Sequence, residues 1–145
     1  MDYELALKGL NNYKQYVEQI YRITSEHVET ELTEDEDGFT YVSRLYIAWL
    51  DYETMGLDVL QDEFGFEADV SFIFRLHRGK NQDEGLGLIF KIILYFVSLG
   101  CSVMLTQESA EILRNTGNGY EIQPRYQGSN DYPEEEMILR LLNQK

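Results

Sequence analysis

Between Phe64 and Gly100 the chain switches from a two-residue to a helical hydrophobic period, and this switch constrains the fold more than any other stretch. Ala68, Val70, Phe72, Phe74 and Leu76 alternate with Asp69, Ser71, Ile73, Arg75 and His77, which puts one apolar row on a single face of a strand. A polar turn follows at residues 79–82. Leu86, Ile89, Phe90, Ile93, Phe96 and Val97 then recur at helical spacing, and Asp83 and Glu84 suit the positive end of a helix. Leu88, Ile92, Tyr95 and Leu99 cover much of the remaining circumference, so this helix is expected to be central and buried on most sides. The apolar run is too short to span a bilayer and carries Lys91.

The flanking segments read as cover for that strand and helix. Tyr3, Leu5 and Leu7 alternate with polar residues in a short first strand, and Asn11 and Asn12 mark a helix cap. Tyr13, Tyr16, Val17, Ile20 and Tyr21 form an amphipathic stripe, expected to pack on a sheet with the tyrosine hydroxyls reaching its edge. Val28, Thr30 and Leu32 suggest a modest strand. After the charged turn at residues 34–38, Phe39, Tyr41, Leu45, Ile47 and Trp49 suggest one longer strand, the two making a hairpin. Residues 51–63 read either as a short helix or as an irregular connection. Residues 101–106 form a strand, and residues 111–115 and 119–123 form a hairpin around Thr116-Gly117-Asn118. Residues 124–132 read as a loop, and Pro133 with Glu134–Glu136 opens a helix whose stripe is Met137, Ile138, Leu141 and Leu142. The expectation is one α+β domain over residues 1–145: a mostly antiparallel β-sheet with two main helices packed on it and a C-terminal helix.

Charge narrows the classes of partner. The chain of 145 residues carries 26 Asp and Glu against 12 Lys and Arg, a formal net charge of -14. Such a field repels nucleic acid and anionic membrane surfaces and attracts cations. With a single cysteine, Cys101, no intramolecular disulfide is possible, which fits a reducing compartment, and its apolar setting suggests a buried structural thiol. Met1-Asp2-Tyr3-Glu4 has no basic or apolar leader character, so a cytoplasmic location is expected.

Motifs for chemistry are scarce. Aligning Gly38 with the glycine of a calcium loop puts Thr33 and Arg44 where acidic ligands are needed. His27 and His77 have no zinc-motif context, the paired glycines at residues 85–87 and 117–119 are not phosphate loops, and no serine sits in a nucleophile elbow. No catalytic residue, metal site or cofactor is therefore assigned. The acids are more informative by placement: from Arg22 to Arg44, and again from Arg44 to Arg75, no lysine or arginine interrupts them. Spans free of cations cost self-repulsion that mixed charge would avoid, which suggests a docking surface for a basic protein.

The segment Phe64-Gly65-Phe66, the strand Val70-Ser71-Phe72-Ile73-Phe74-Arg75-Leu76, the apolar helix after it, Val103-Met104-Leu105, Glu108 and Ile112-Leu113-Arg114 together resemble the SitI3-type immunity proteins, bacterial antidotes to toxins delivered between cells. The opening strand Tyr3-Glu4-Leu5-Ala6-Leu7 is similar to that family's start. The resemblance covers about two-thirds of the chain, mainly as hydrophobic pattern, and implies a small non-enzymatic protein that occludes one cognate toxin domain. It implies structural roles for Gly65, Phe66, Phe72 and Phe74, leaving recognition to the acidic surface. The expected partner-binding residues are Glu34, Asp35, Glu36 and Asp37 at the hairpin tip, Asp58, Asp62 and Glu63 beyond it, and Tyr52 as an aromatic anchor. The rival expectation is a small-molecule-binding domain or enzyme with a pocket edged by tyrosines and acids.

Overall fold

Residues 2–52, 55–79, 82–108, 110–123, 133 and 135–144 are described by the computed structural model. The elements run β1 (Asp2–Lys8), α1 (Tyr13–His27), β2 (Glu31–Glu34), β3 (Gly38–Val42), β4 (Tyr46–Asp51), α2 (Met55–Phe64), β5 (Val70–Leu76), α3 (Gln82–Ser98), β6 (Ser102–Gln107), β7 (Ala110–Asn115), β8 (Glu121–Ile122) and α4 (Glu135–Leu142). The strands form one antiparallel sheet in the order β2-β3-β4-β5-β1-β6-β7-β8, so the expected α+β class is the one observed.

Alternation along the central strands decides which helix covers which face. Leu5 and Leu7 of β1, Phe72 and Phe74 of β5, and Val103 and Leu105 of β6 are fully buried in one cluster with α1, α3 and Ile138 of α4. As the long apolar run requires, α3 buries Leu86, Leu88, Ile89, Phe90, Ile92, Ile93 and Phe96. Gly85 lets it come close to the sheet, since a Cβ there would lie 2.9 Å from Leu76 Cδ2 and 3.4 Å from the Leu45 carbonyl oxygen. The intervening positions Ala6 and Met104 face the other way and pack with Leu60 of α2 and Phe66. Helices therefore cover both faces, and residues 51–63, open between helix and connection, contribute α2 to the second one.

Buried hydroxyls lock α1 in place. Asn12 and Gln15 form a capping box, and Thr24 of α1 shares a 2.6 Å hydrogen bond with the Tyr46 hydroxyl of β4. The Tyr41 hydroxyl donates to the Val17 carbonyl at 2.8 Å, while that of Tyr16 donates to Asp69 at 2.7 Å. The expected tyrosine stripe is only partly internal. Tyr16 is buried, whereas Tyr13 and Tyr21 are exposed, and Ile23 and Thr24 complete the buried face instead.

Two strand boundaries differ from the sequence expectation. His27 ends α1 and Val28 is its C-cap, donating its N–H to the Thr24 carbonyl, so β2 starts only at Glu31. The single strand expected through Phe39 and Trp49 is two strands, β3 and β4. Ser43 reverses the chain between them by accepting the Leu45 and Tyr46 N–H groups at 3.2 Å each. Consequently Tyr46, Ala48 and Leu50 point to the core, and Ile47 and Trp49 lie on the opposite face from Phe39 and Tyr41. The loop expected at residues 124–132 lies outside the described residues. Among the described residues no helix is long and apolar enough to cross a membrane.

The β2–β3 hairpin closes through Gly38. Its φ is +152°, and a Cβ would sit 1.8 Å from the Leu50 carbonyl oxygen. Gly38→Ala is therefore expected to destabilise the protein by about 1–3 kcal/mol. The measurement is a urea unfolding midpoint, which falls while the denaturant slope stays unchanged. A midpoint equal to that of the unsubstituted protein would contradict this hairpin geometry.

Candidate functional site

Backbone geometry presents the acidic tip. Asp35 and Gly38 face each other across the turn, with the Asp35 N–H donating to the Gly38 carbonyl at 3.0 Å. The Asp35 carboxylate accepts from the backbone N–H groups of Asp37 (2.8 Å) and Gly38 (3.1 Å), an Asx-type closure that fixes the loop. Glu34, Asp35, Glu36 and Asp37 are all exposed. Asp51 is added beside them by the β3–β4 register, which pairs it with Gly38.

Tyr52 lies at this tip. Its N–H donates to the Asp37 carbonyl at 2.9 Å, and its hydroxyl donates to Glu34 Oε2. That hydrogen bond, with burial a smaller contributor, pushes the phenol up to about 12 from an ordinary 10.0. Two further aromatics complete a trio: Tyr52 lies 5.8 Å from both Tyr13 and Phe39, and Tyr13 lies 6.2 Å from Phe39, ring centre to ring centre. Tyr13 and Tyr52 remain 40% and 37% exposed, while Phe39 is buried beneath them. The pattern thus places two solvent-facing rings against a row of carboxylates. Aromatic rings and carboxylates both attract Lys and Arg, the first through the ring face and the second through charge-assisted hydrogen bonds.

Asp58, Asp62 and Glu63 stand apart. All three are exposed on α2, which packs on the Ala6 and Met104 side of the sheet, whereas Phe39 belongs to the α1 and α3 side. Proximity in sequence did not carry over to space, because α2 and the ring of Tyr52 lie on opposite faces of the sheet. Tyr13 and Phe39 were the members missed. Only the register of α1 against β3 brings them to Tyr52, although the placement of Tyr13 in the first helical turn hinted that no earlier turn would cover it.

The ion pairs of the described residues lie elsewhere. Lys8 pairs with Glu67 at 3.0 Å, Arg22 with Glu26 at 3.4 Å, and Arg75 with Asp2 at 2.8 Å. Arg114 pairs with Glu111 and donates to the Phe64 carbonyl at 2.7 Å, closing the end of α2. None of the described ion pairs reaches the hairpin acids.

A separate cleft of about 570 Å³ opens along His27, Val28, Glu29, Glu31, Val42 and Arg44. At its rim Glu84 accepts from Arg44 at 3.0 and 3.2 Å and contacts His27 Nε2 at 2.8 Å. Hydrogen bonds from Arg44 first and His27 second hold the Glu84 carboxyl below its ordinary value, so this acid is already engaged by two side chains. Among the described residues no tyrosine lines the cleft. Burial pushes the Cys101 thiol up, away from the thiolate a nucleophile needs. Among the described residues no three His, Cys, Asp or Glu side chains converge to hold a metal.

Comparison with known proteins finds no matching family model, no matching curated protein and no matching solved structure.

The Tyr52–Glu34 contact has a testable titration. In the folded protein the phenol keeps its proton to about 12, whereas an unfolded tyrosine releases it near 10.0. The contact's contribution is thus complete below pH 10 and is lost as pH rises through 12. In Glu34→Gln the Tyr52 ring signal, followed by NMR, is expected to titrate at lower pH than in the unsubstituted protein. An unchanged titration would mean that Glu34 does not hold the phenol.

Proposed function

We propose that this protein binds and neutralises a cognate antibacterial toxin by occluding the toxin's active or substrate-binding surface, as an immunity protein without catalysis of its own. The observation that supports it best is the corner where the exposed rings of Tyr13 and Tyr52 pack together next to the acidic turn of Glu34–Asp37, with Tyr52 bonded to Glu34 and to the Asp37 carbonyl. Aromatic anchors ringed by charge are the chemistry of tight protein recognition, with the rings resisting dissociation and the acids speeding encounter. The net charge of -14 selects a basic surface, such as the substrate cleft of a nuclease toxin. The resemblance of residues 64–76 and 103–114 to SitI3-type immunity proteins points the same way. On this reading the protein acts in the cytoplasm of the cell that it protects. Asp58, Asp62 and Glu63 would widen the acidic field without sharing the contact.

A small-molecule reading would draw on the cleft beside His27, where Glu84 is already paired with Arg44 and His27. The deciding experiment is affinity capture from a lysate of the source organism at low salt, with bound proteins released by rising salt. One basic protein is expected. Capture by Glu34/Asp35/Glu36/Asp37→Ser is expected to slow in association and to lose salt dependence. Tyr13→Ala and Tyr52→Ala should each weaken binding about tenfold or more through faster dissociation. An acidic partner, or capture indifferent to salt and to all three variants, would sink this assignment.

A further inference from the structure

The outer edge of β2 is open, and its backbone carries an inference about how a partner docks. β2 is the terminal strand of the sheet and pairs only with β3. Hydrogen bonding across an antiparallel pair alternates, so one observed bond sets the phase for the whole hairpin. The Asp35 N–H bonds to Gly38, hence Thr33 faces Thr40 and Glu31 faces Val42 as hydrogen-bonded pairs. The phase is confirmed from the other side of β3, where Tyr52 bonds to Asp37 and Ser43 to Tyr46, leaving Gly38, Thr40 and Val42 to bond β2. Leu32 and Glu34 are therefore the residues whose N–H and C=O groups point away from β3. Among the described residues no strand takes them up.

We propose that this edge accepts an extended, cationic segment of the partner protein as an additional antiparallel strand, with basic residues alternating with apolar ones. The inference rests on the partner-binding reading for the existence of such a protein, and on the strand edge for the manner of binding. The backbone supplies the pairing groups and the side chains supply the sign. Glu31 and Thr33 project on the α2 side of the sheet, Leu32 is half-buried against the core on the other, and Glu29 precedes the strand. No described ion pair involves Glu29, Glu31 or Glu34. The cleft lined by Glu29, Glu31 and Val42 opens at the start of β2. Its two basic members, His27 and Arg44, are both drawn to Glu84, so Glu29 and Glu31 are its unpaired charges. A lysine or arginine beside Glu31 and an apolar residue beside Leu32 satisfy both faces of the added strand.

A second copy of this chain fits the same edge poorly. Antiparallel pairing of two β2 strands through their outward residues sets Leu32 of one copy opposite Glu34 of the other and Glu31 opposite Asp35, and like charges directly opposed are destabilising. The acids thus block the homotypic pairing that an open edge invites while admitting a segment of opposite sign.

The test uses the intact protein and a terminally capped Lys-Val-Lys-Val-Lys-Val peptide at low salt, read by NMR amide hydrogen exchange. At saturation the Leu32 and Glu34 amides are expected to slow about tenfold or more, with little change at Thr33, which is already bonded to β3. The same peptide N-methylated at its valines, and a Glu-Val counterpart, are expected to bind at least about tenfold more weakly. Leu32→Pro removes an outward N–H and leaves the β3 ladder whole, so it should weaken the peptide similarly while the far-ultraviolet circular dichroism is kept. Absence of binding up to millimolar peptide, equal binding of the N-methylated or acidic peptide, or binding that leaves Leu32 and Glu34 exchange unchanged would each overturn the proposal. None of those results bears on the capture experiment with the Tyr13 and Tyr52 variants, so the two readings fail separately.

Discussion

The double pairing of β1 is the constraint on which the rest of the structure depends. Tyr3 sits opposite Phe74 of β5 on one side and Gln107 of β6 on the other, so the first strand joins partners from the middle and the last third of the chain. Closing such long loops is entropically costly and gains little until the strands meet. What offsets the cost is burial on both faces at once. Leu5 and Leu7 bind the sheet to the α1 and α3 layer, while Ala6, having no bulk of its own, lets Leu60 and Phe66 approach from the other side. A large side chain at residue 6 would hold α2 away from the sheet.

Segments with one clean period were legible. β5 and α3 follow the residues directly, because each alternation or helical stripe is uninterrupted and each face has a single environment. The β3–β4 region was misread because parity concealed a reversal. Phe39, Tyr41, Leu45, Ile47 and Trp49 are all odd-numbered, which mimics one strand, yet the Ser43 turn between residues 42 and 46 inverts the inward parity to Tyr46, Ala48 and Leu50. Val28 misled similarly: it is apolar because it is a buried helix cap, and the capping bond to Thr24 is not a hydrophobic pattern.

The candidate site was legible where it depended on local chemistry. Glu34–Asp37 run from the end of β2 into the hairpin turn, and Asp35 with Gly38 closes that turn without help from elsewhere. Tyr52 and Tyr13 meet only because α1 crosses β3 and β4, held there by the Tyr41–Val17 and Thr24–Tyr46 bonds. Such a meeting is a property of packing, and no spacing within either segment encodes it. The α2 acids show the converse, since only a few residues separate Asp58 from Tyr52 but the sheet lies between their faces.

Charge and rigidity then act together at the hairpin. Lys8, Arg22, Arg44, Arg75 and Arg114 pair with acids away from the hairpin, so among the described residues no ion pair neutralises its tip. Self-repulsion there is partly screened by salt and partly relieved where Asp35 accepts backbone N–H groups and Glu34 accepts the Tyr52 hydroxyl. Those bonds also fix the loop before any partner arrives. A preorganised loop loses less conformational entropy on binding than a mobile one, so more of the contact energy remains as affinity. The bonds that make an acidic turn tolerable in the free protein therefore also suit it to recognition, leaving Glu36, Asp37 and Asp51 as exposed carboxylates that those bonds do not engage.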